Sequence, residues 1–238
     1  MGNAIPVTIV GGGLAGLTLG IALRQREVPV RVHEAGHYPR HRVCGEFISG
    51  HGQATLERLG LRGMLETAGA MAARTIAFFS ANRSTGPRLL PAAGICLSRS
   101  ILDALLAARF RDLGGVLVEG GRDNRGFGEG VVRATGRRAG ADADGMRWFP
   151  PVTGNGMSMA FESAELAVDP LVAWSTGKLS WNEARLIIAR DCDAVFKSRL
   201  ASARWLQKIV QMSSLQDPLV ALAGRSDWVW RLAFDRTR

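Results

Sequence analysis

With 238 residues, 47% hydrophobic and 21% charged, the chain has the length and balance of a folded body of one large or two small domains, which excludes a disordered chain. The formal charge of +9 comes almost entirely from Arg spread singly from Arg24 to Arg238, with no basic run and no interleaved aromatics, so a nucleic-acid partner is not expected. Cys44, Cys96 and Cys192 form no CxxC or Cys/His pair, which speaks against a disulfide framework or a zinc site and for a reducing, cytoplasmic setting.

In chain order, the first elements to expect are an apolar strand over Ile5 to Val10, a glycine turn, a helix over Leu14 to Arg26 and a second strand over Pro29 to His33. The polar stretch from Ala35 to Phe47 reads as an ordered functional loop. Helices are predicted over Gln53 to Leu59 and Gly63 to Ala68, and strands near Thr75 to Ser80 and Ile95 to Leu97. Ser98 can cap a helix from Arg99 to Leu113, closed by Gly114 and Gly115, with short strands following at Val116 to Glu119 and Val131 to Ala134. Beyond Gly154 the pattern is helical only, over Met157 to Trp174 and Trp181 to Met212, with a Pro-broken tail from Asp217. Five tryptophans there, Trp174, Trp181, Trp205, Trp228 and Trp230, are expected to form a helix-packing core. No run of about 18 apolar residues occurs, so no transmembrane segment is expected, with peripheral membrane contact left open.

The run Gly11-Gly12-Gly13-Leu14-Ala15-Gly16 has the GxGxxG spacing between a strand and a helix. Gly11 permits the tight turn, Gly13 the approach of a pyrophosphate, and Gly16 the close lie of helix on sheet. A pyrophosphate then meets the unpaired N–H groups of the helix N-terminus. Glu34, at the end of the second strand, falls where a carboxylate accepts the ribose hydroxyls of adenosine and repels a 2′-phosphate. His33, His37, His41 and His51 have no partner at metal spacing, and no metal site is expected.

Four further segments occur in order: Tyr38 to Phe47 (YPRHRVCGEF), Leu97-Ser98-Arg99 leading into Leu102-Asp103, Ala134-Thr135-Gly136-Arg137, and Pro150 to Met157 (PPVTGNGM). Together with the glycine run they resemble the FAD-dependent oxidoreductases of the geranylgeranyl-reductase and aromatic-hydroxylase superfamily. The resemblance implies an α/β fold, a Rossmann-like FAD-binding domain with a parallel central sheet followed by a C-terminal helical region. It implies FAD as cofactor and NAD(P)H as transient electron donor. The cofactor residues it implies are Gly11, Gly13, Leu14, Ala15, Gly16, Glu34, Ala35, Arg42, Cys44, Gly45, Arg99, Ala134, Thr135, Gly136, Asp142, Gly154, Asn155, Gly156 and Met157. Arg99 would begin a helix near the pyrophosphate, Ala141-Asp142-Ala143 would approach the ribityl side, and the helix after Gly154 would turn its positive end to the flavin.

One departure from that pattern is large. Between Gly136 and Asp142 the resemblance calls for a whole β-rich substrate domain, and a layer of strands of about 5–6 residues each cannot fit there. The expected division is a domain over 1–160 lacking that insert and a helical region over 161–238. Ala141 in place of a Gly and the extra Arg147-Trp148 are smaller departures. Two readings follow: an FAD-dependent reductase or monooxygenase acting on an apolar or aromatic small molecule, or a non-catalytic FAD-binding remnant of one. A plain NAD-dependent dehydrogenase ranks last, since it leaves the later motifs unexplained. Cys44 and Glu46 are the weak candidates for a catalytic group.

Overall fold

The computed structural model describes residues 4–42, 44, 46–121, 128–136, 155–229 and 231. Its centre is a parallel sheet of β1 (Val7–Val10), β2 (Val30–Glu34), β6 (Val116–Glu119) and β7 (Val131–Arg133), in the order β6-β2-β1-β7. Val7 pairs with Val30 and Ile9 with Val132, so the apolar, β-branched sequences lie side by side with their carboxyl ends at one edge.

Helices cover this sheet and run back from that edge. In α1 (Leu14–Gln25), Leu14 and every residue from Gly16 to Leu23 are buried, as the apolar sequence LAGLTLGIAL requires of a helix enclosed on all sides. Helix α4 (Arg99–Asp112) ends beside it, where the Arg24 guanidinium donates to the Leu113 carbonyl at 2.9 Å. Helix α5 (Gly156–Ser175) ends at the opposite side of the sheet from the glycine turn, because the Ile5 N–H donates to the Ser175 carbonyl at 2.8 Å at the foot of β1. All three helices therefore present their N-termini at the carboxyl edge of the sheet. Phe110 is fully buried and closes the α1–α4 contact over Gly20, where a Cβ would lie 2.8 Å from its ring.

A second, antiparallel sheet holds β3 (Phe47–Ile48), β4 (Met71–Ile76) and β5 (Arg88–Cys96) in the order β3-β5-β4, beside α2 (Gly50–Arg58) and α3 (Arg62–Thr67). The last helices are α6 (Trp181–Val210), opened by a Ser180/Glu183 capping box, and α7 (Ser213–Arg225). The fold class is thus α/β with a parallel central sheet and a helical C-terminal region.

Local differences from the sequence expectation are physical. The predicted strand at Thr75 to Ser80 sits earlier, at Met71–Ile76, and the one at Ile95 to Leu97 is the end of the nine-residue β5. These strands are exposed over much of their length and lack the apolar alternation that would mark their bounds. The tail predicted as broken by Pro218 is helix α7; Asp217 ties it to Ser80 and to Asn82, whose amide donates at 2.9 Å. The tryptophan core is smaller than expected. Trp174 is buried and meets Trp181 edge-on at 5.0 Å, whereas Trp205 and Trp228 are 66% and 70% exposed, and Trp230 lies outside the described residues.

Truncating Phe110→Ala opens a cavity against Gly20 and Gly115 in the middle of the helix layer. We expect a loss of about 3–5 kcal/mol, measured as a lowered urea midpoint with an unchanged denaturant slope.

Candidate cofactor site

The glycine turn is shaped by main-chain contacts. Gly11 has φ +111°, and a Cβ on it would lie 2.5 Å from the Ala134 carbonyl oxygen, so the tip of β7 crosses over the end of β1. A Cβ on Gly16 would lie 1.9 Å from the Gly11 carbonyl oxygen, which brings the first turn of α1 flush onto the strand. Gly13 differs: it is the N-cap of α1 in extended conformation, and among the described residues nothing lies within 4 Å of a Cβ placed on it. No side chain caps α1 and no acidic residue stands in its first turn, so the N–H groups of Leu14, Ala15 and Gly16 face that open space without a side-chain partner.

Helix α5 is uncapped in the same way. Its N-cap Asn155 is buried and turned inward, accepting a 2.8 Å hydrogen bond from the Ser49 hydroxyl, while the Ser49 N–H donates to the Ser158 hydroxyl at 3.0 Å. Ser49 precedes α2, and a Cβ on Gly52 would lie 2.8 Å from the Ser158 Cα, so this polar cluster fixes the entry of α5 against α2. Gly156 borders open space, and Met157 packs in the core. The third helix, α4, has its N-terminus closed: the Ser98 hydroxyl accepts from the Ser100 N–H, and the Glu46 carboxylate accepts from the Arg99 N–H at 3.0 Å.

At the tip of β2 stands a buried chain of charges. The Glu34 carboxylate accepts from the Gly12 N–H at 2.8 Å, the Gly36 N–H at 2.9 Å and Arg40 Nη2 at 2.9 Å, with Arg40 Nη1 also against it. Arg40 continues to Asp103, 3.7 Å from its Nε, and the fully buried Asp103 accepts two hydrogen bonds from Arg99 at 2.9 and 3.0 Å. Tyr38 lies on this chain. Its hydroxyl donates to the Gly12 carbonyl, the Arg40 guanidinium stacks 4.8 Å from its ring, and burial pushes its phenol pKa up. Burial would also raise the Glu34 carboxyl, but the Arg40 hydrogen bond, the Gly36 N–H, the Arg40 charge and the Gly12 N–H outweigh it and hold it below the ordinary carboxylate value.

The expected site residues thus divide. Gly11, Gly13, Leu14, Ala15, Gly16, Glu34, Ala134 and Thr135 come together at the turn, with Gly136 next in the chain at φ +64°. Ala35 and Arg42 follow on the loop, Arg42 with its guanidinium 3.7 Å from Glu34. Arg99 starts α4 as expected, yet its guanidinium is bound within the protein by Asp103. Cys44 packs against the core and interacts with Arg99, and Glu46 serves as a helix cap, so neither stands as a free acid or base. Gly45, Asp142 and Gly154 lie outside the described residues. Tyr38, Arg40, Asp103, Gly12 and Ser49 are additions. The i,i+4 spacing of Arg99 and Asp103 on a helix was a readable signal; nothing in the sequence announced the reach of Arg40. Among the described residues there is no metal-binding cluster, and no helix is long and apolar enough to cross a membrane.

Because the Glu34 pKa is depressed on folding, its contribution to stability is full above the ordinary carboxylate value of about 4.3 and is lost as pH falls through the folded value. Glu34→Gln is expected to cost about 3 kcal/mol at neutral pH and to flatten the acid limb of a stability–pH profile. Glu165, held low chiefly by its hydrogen bond from Arg58, retains part of that slope.

No protein-family model and no curated protein matches the sequence. Among solved structures, the flavin-dependent brominase Bmp2 is similar over 98% of this chain and 99% of its own, with 12% identity and a TM-score of 0.70. PqsL of P. aeruginosa, in complex with 2-aminobenzoylacetate, is similar over 91% of this chain and 99% of its own, with 13% identity and a TM-score of 0.69. The tetrameric form of 2-methyl-3-hydroxypyridine-5-carboxylic acid oxygenase is 29% identical over 51% of this chain, with a TM-score of 0.46; the match spans 33% of that oxygenase's length. The fold of this chain is the one seen in Bmp2 and PqsL.

Proposed function

We propose that this chain binds FAD across the N-termini of α1 and α5 and is a flavin-dependent oxidoreductase of the reductase or monooxygenase type. The observation that carries the reading is the space at Gly13, which is bordered by main-chain N–H groups without a side-chain cap and is reached by no side chain among the described residues. A pyrophosphate fits there, since helix N-terminal donors and the helix dipole favour negative charge. The second uncapped terminus, α5, runs in the same direction and suits an electron-rich ring edge. Glu34 fits the ribose hydroxyls in position, and it accepts hydrogen bonds from Gly12, Gly36 and Arg40.

FAD would supply two-electron transfer between NAD(P)H and an organic substrate or oxygen. The residues of this chain bind and orient: main-chain donors at Leu14, Ala15 and Gly16 hold charge, Ser49 and Ser158 fix α5, and Ala134 and Thr135 border the turn. We propose an apolar or aromatic small molecule as substrate.

A second reading, an FAD-binding remnant without turnover, is favoured by one observation. Only residues 134–155 separate the end of β7 from the start of α5, too short a stretch for the whole β-rich substrate domain that the resemblance calls for. Purification separates the two. A yellow protein bleached by NAD(P)H supports the oxidoreductase, and a yellow protein that NAD(P)H leaves coloured supports the remnant.

Gly13→Val tests the site itself. Its extended backbone and empty surroundings accept a β-branched residue, so thermal stability should be unchanged while FAD retention is lost. Undiminished flavin content in that variant would place the pyrophosphate elsewhere.

A further inference from the structure

The two halves of the glycine turn are not equally open. Among the described residues nothing stands within 4 Å of a Cβ on Gly13, whereas a Cβ on Gly12 would run into the Tyr38 hydroxyl oxygen, which fills the ground next to the Glu34 carboxylate. A carboxylate accepts in roughly four directions. Three of those of Glu34 are taken by the Gly12 N–H, the Gly36 N–H and Arg40 Nη2, and Arg40 Nη1 stands in ion-pair contact over the remaining side. A ribose hydroxyl can donate to it only if one of these partners leaves.

Gly12 and Gly36 donate from main chain next to β1 and β2 and cannot withdraw without unmaking the turn. Arg40 can, because it reaches in from the loop after β2. It also has somewhere to go: its Nε has no hydrogen-bond partner, and the Asp103 carboxylate is 3.7 Å away. A shift toward Asp103 keeps the guanidinium ion-paired inside the protein and avoids the cost of a lone buried charge. Tyr38 is bound to the same movement, since Arg40 stacks on its ring and both side chains donate to the Gly12 carbonyl, Arg40 at 2.9 Å.

We propose that Tyr38 and Arg40 form a latch over the ribose half of the cradle, closed in the cofactor-free chain and opened when the dinucleotide takes Glu34 and Arg40 passes to Asp103. This rests on the FAD reading above and adds to it a gate on cofactor entry. The latch makes association slow and leaves dissociation to the contacts of the bound cofactor.

Tyr38 is the only tyrosine in the chain, so incorporation of 3-fluorotyrosine gives one 19F resonance that reports on the latch. The experiment mixes the cofactor-free protein with FAD and follows quenching of flavin fluorescence by stopped flow alongside that resonance. In the wild-type chain the quenching rate should level off at high FAD, limited by opening, and the resonance should move as quenching proceeds. Tyr38→Phe should raise the plateau by roughly three- to tenfold, the factor given by loss of one ordinary hydrogen bond, with the dissociation rate unchanged. Arg40→Lys, which cannot hold Gly12 and Glu34 together, should act in the same direction. Faster dissociation and weaker binding in Tyr38→Phe would mean a wall of the bound site and would overturn the latch, as would quenching without movement of the wild-type resonance, a readout that needs no variant to fold. If neither wild type nor Tyr38→Phe quenches FAD, the FAD reading itself falls, and the latch with it.

Discussion

The Gly11 carbonyl oxygen occupies the place where a side chain at Gly16 would begin, and the Ala134 carbonyl occupies the place where one at Gly11 would begin. No residue but glycine fits either position with the backbone as it is, and from these two contacts the upper edge of the sheet follows. Helix α1 lies flush on β1, the tip of β7 crosses the turn, and the first turn of α1 faces outward with its N–H groups unspent. Each helix end carries the equivalent of about half a positive charge. Helix α4 has its own answered by Ser98 and Glu46, while α1 and α5 have no side-chain cap and no acidic residue in the first turn. Of the three helices that run back from this edge, two thus keep their field unanswered by any side chain of the described residues, and they run in the same direction.

The charge chain Glu34, Arg40, Asp103, Arg99 has a different task. Its members alternate in sign and are almost wholly buried, so the desolvation of each is offset by its neighbours, and the net gain over apolar side chains of the same volume is small. What the chain determines is position. It draws the loop after β2 back across the sheet edge through directional hydrogen bonds to Glu34 and links it to α4 by the ion pair of Arg40 with Asp103. Serine does the corresponding work on the other side, where Ser49 registers α5 against α2 through two buried hydrogen bonds.

Much of this was legible in the residues themselves. The βαβ unit, the cap at Ser98, the helices of the second half and the glycine turn each carry a local signature, an apolar period or a residue type with one conformational use. The antiparallel sheet carries none: β3 is two residues long, and in β4 and β5 exposure follows neither face consistently, with Leu89 at 76% exposure one residue before the buried Leu90. Pro218 misled because a proline removes a single N–H, and contacts from Asp217 to the β4–β5 hairpin hold the helix through it. Within the site, Glu34 could be placed by its distance from the turn, but its partners could not. Arg40 reaches it through a loop whose path no periodicity describes, and Tyr38 meets Gly12 across 26 positions of sequence.

Holding a dinucleotide and using it make unlike demands on a protein. On the proposed reading the first would be met by main-chain donors at helix ends and by one carboxylate, all of which rest on α1, α5 and the parallel sheet. The second needs a dry face over the reacting ring, where charge is stabilised by fixed dipoles and side reactions with water are kept out. A covering layer requires several strands of about 5–6 residues, and the small antiparallel sheet leaves Met71, Phe79 and Leu89 exposed. On the proposed reading, cofactor affinity and turnover would therefore be separable: binding would depend on the glycine turn, the charge chain and the α5 terminus, and flavin quenching would read it directly, whatever becomes of the electrons afterwards.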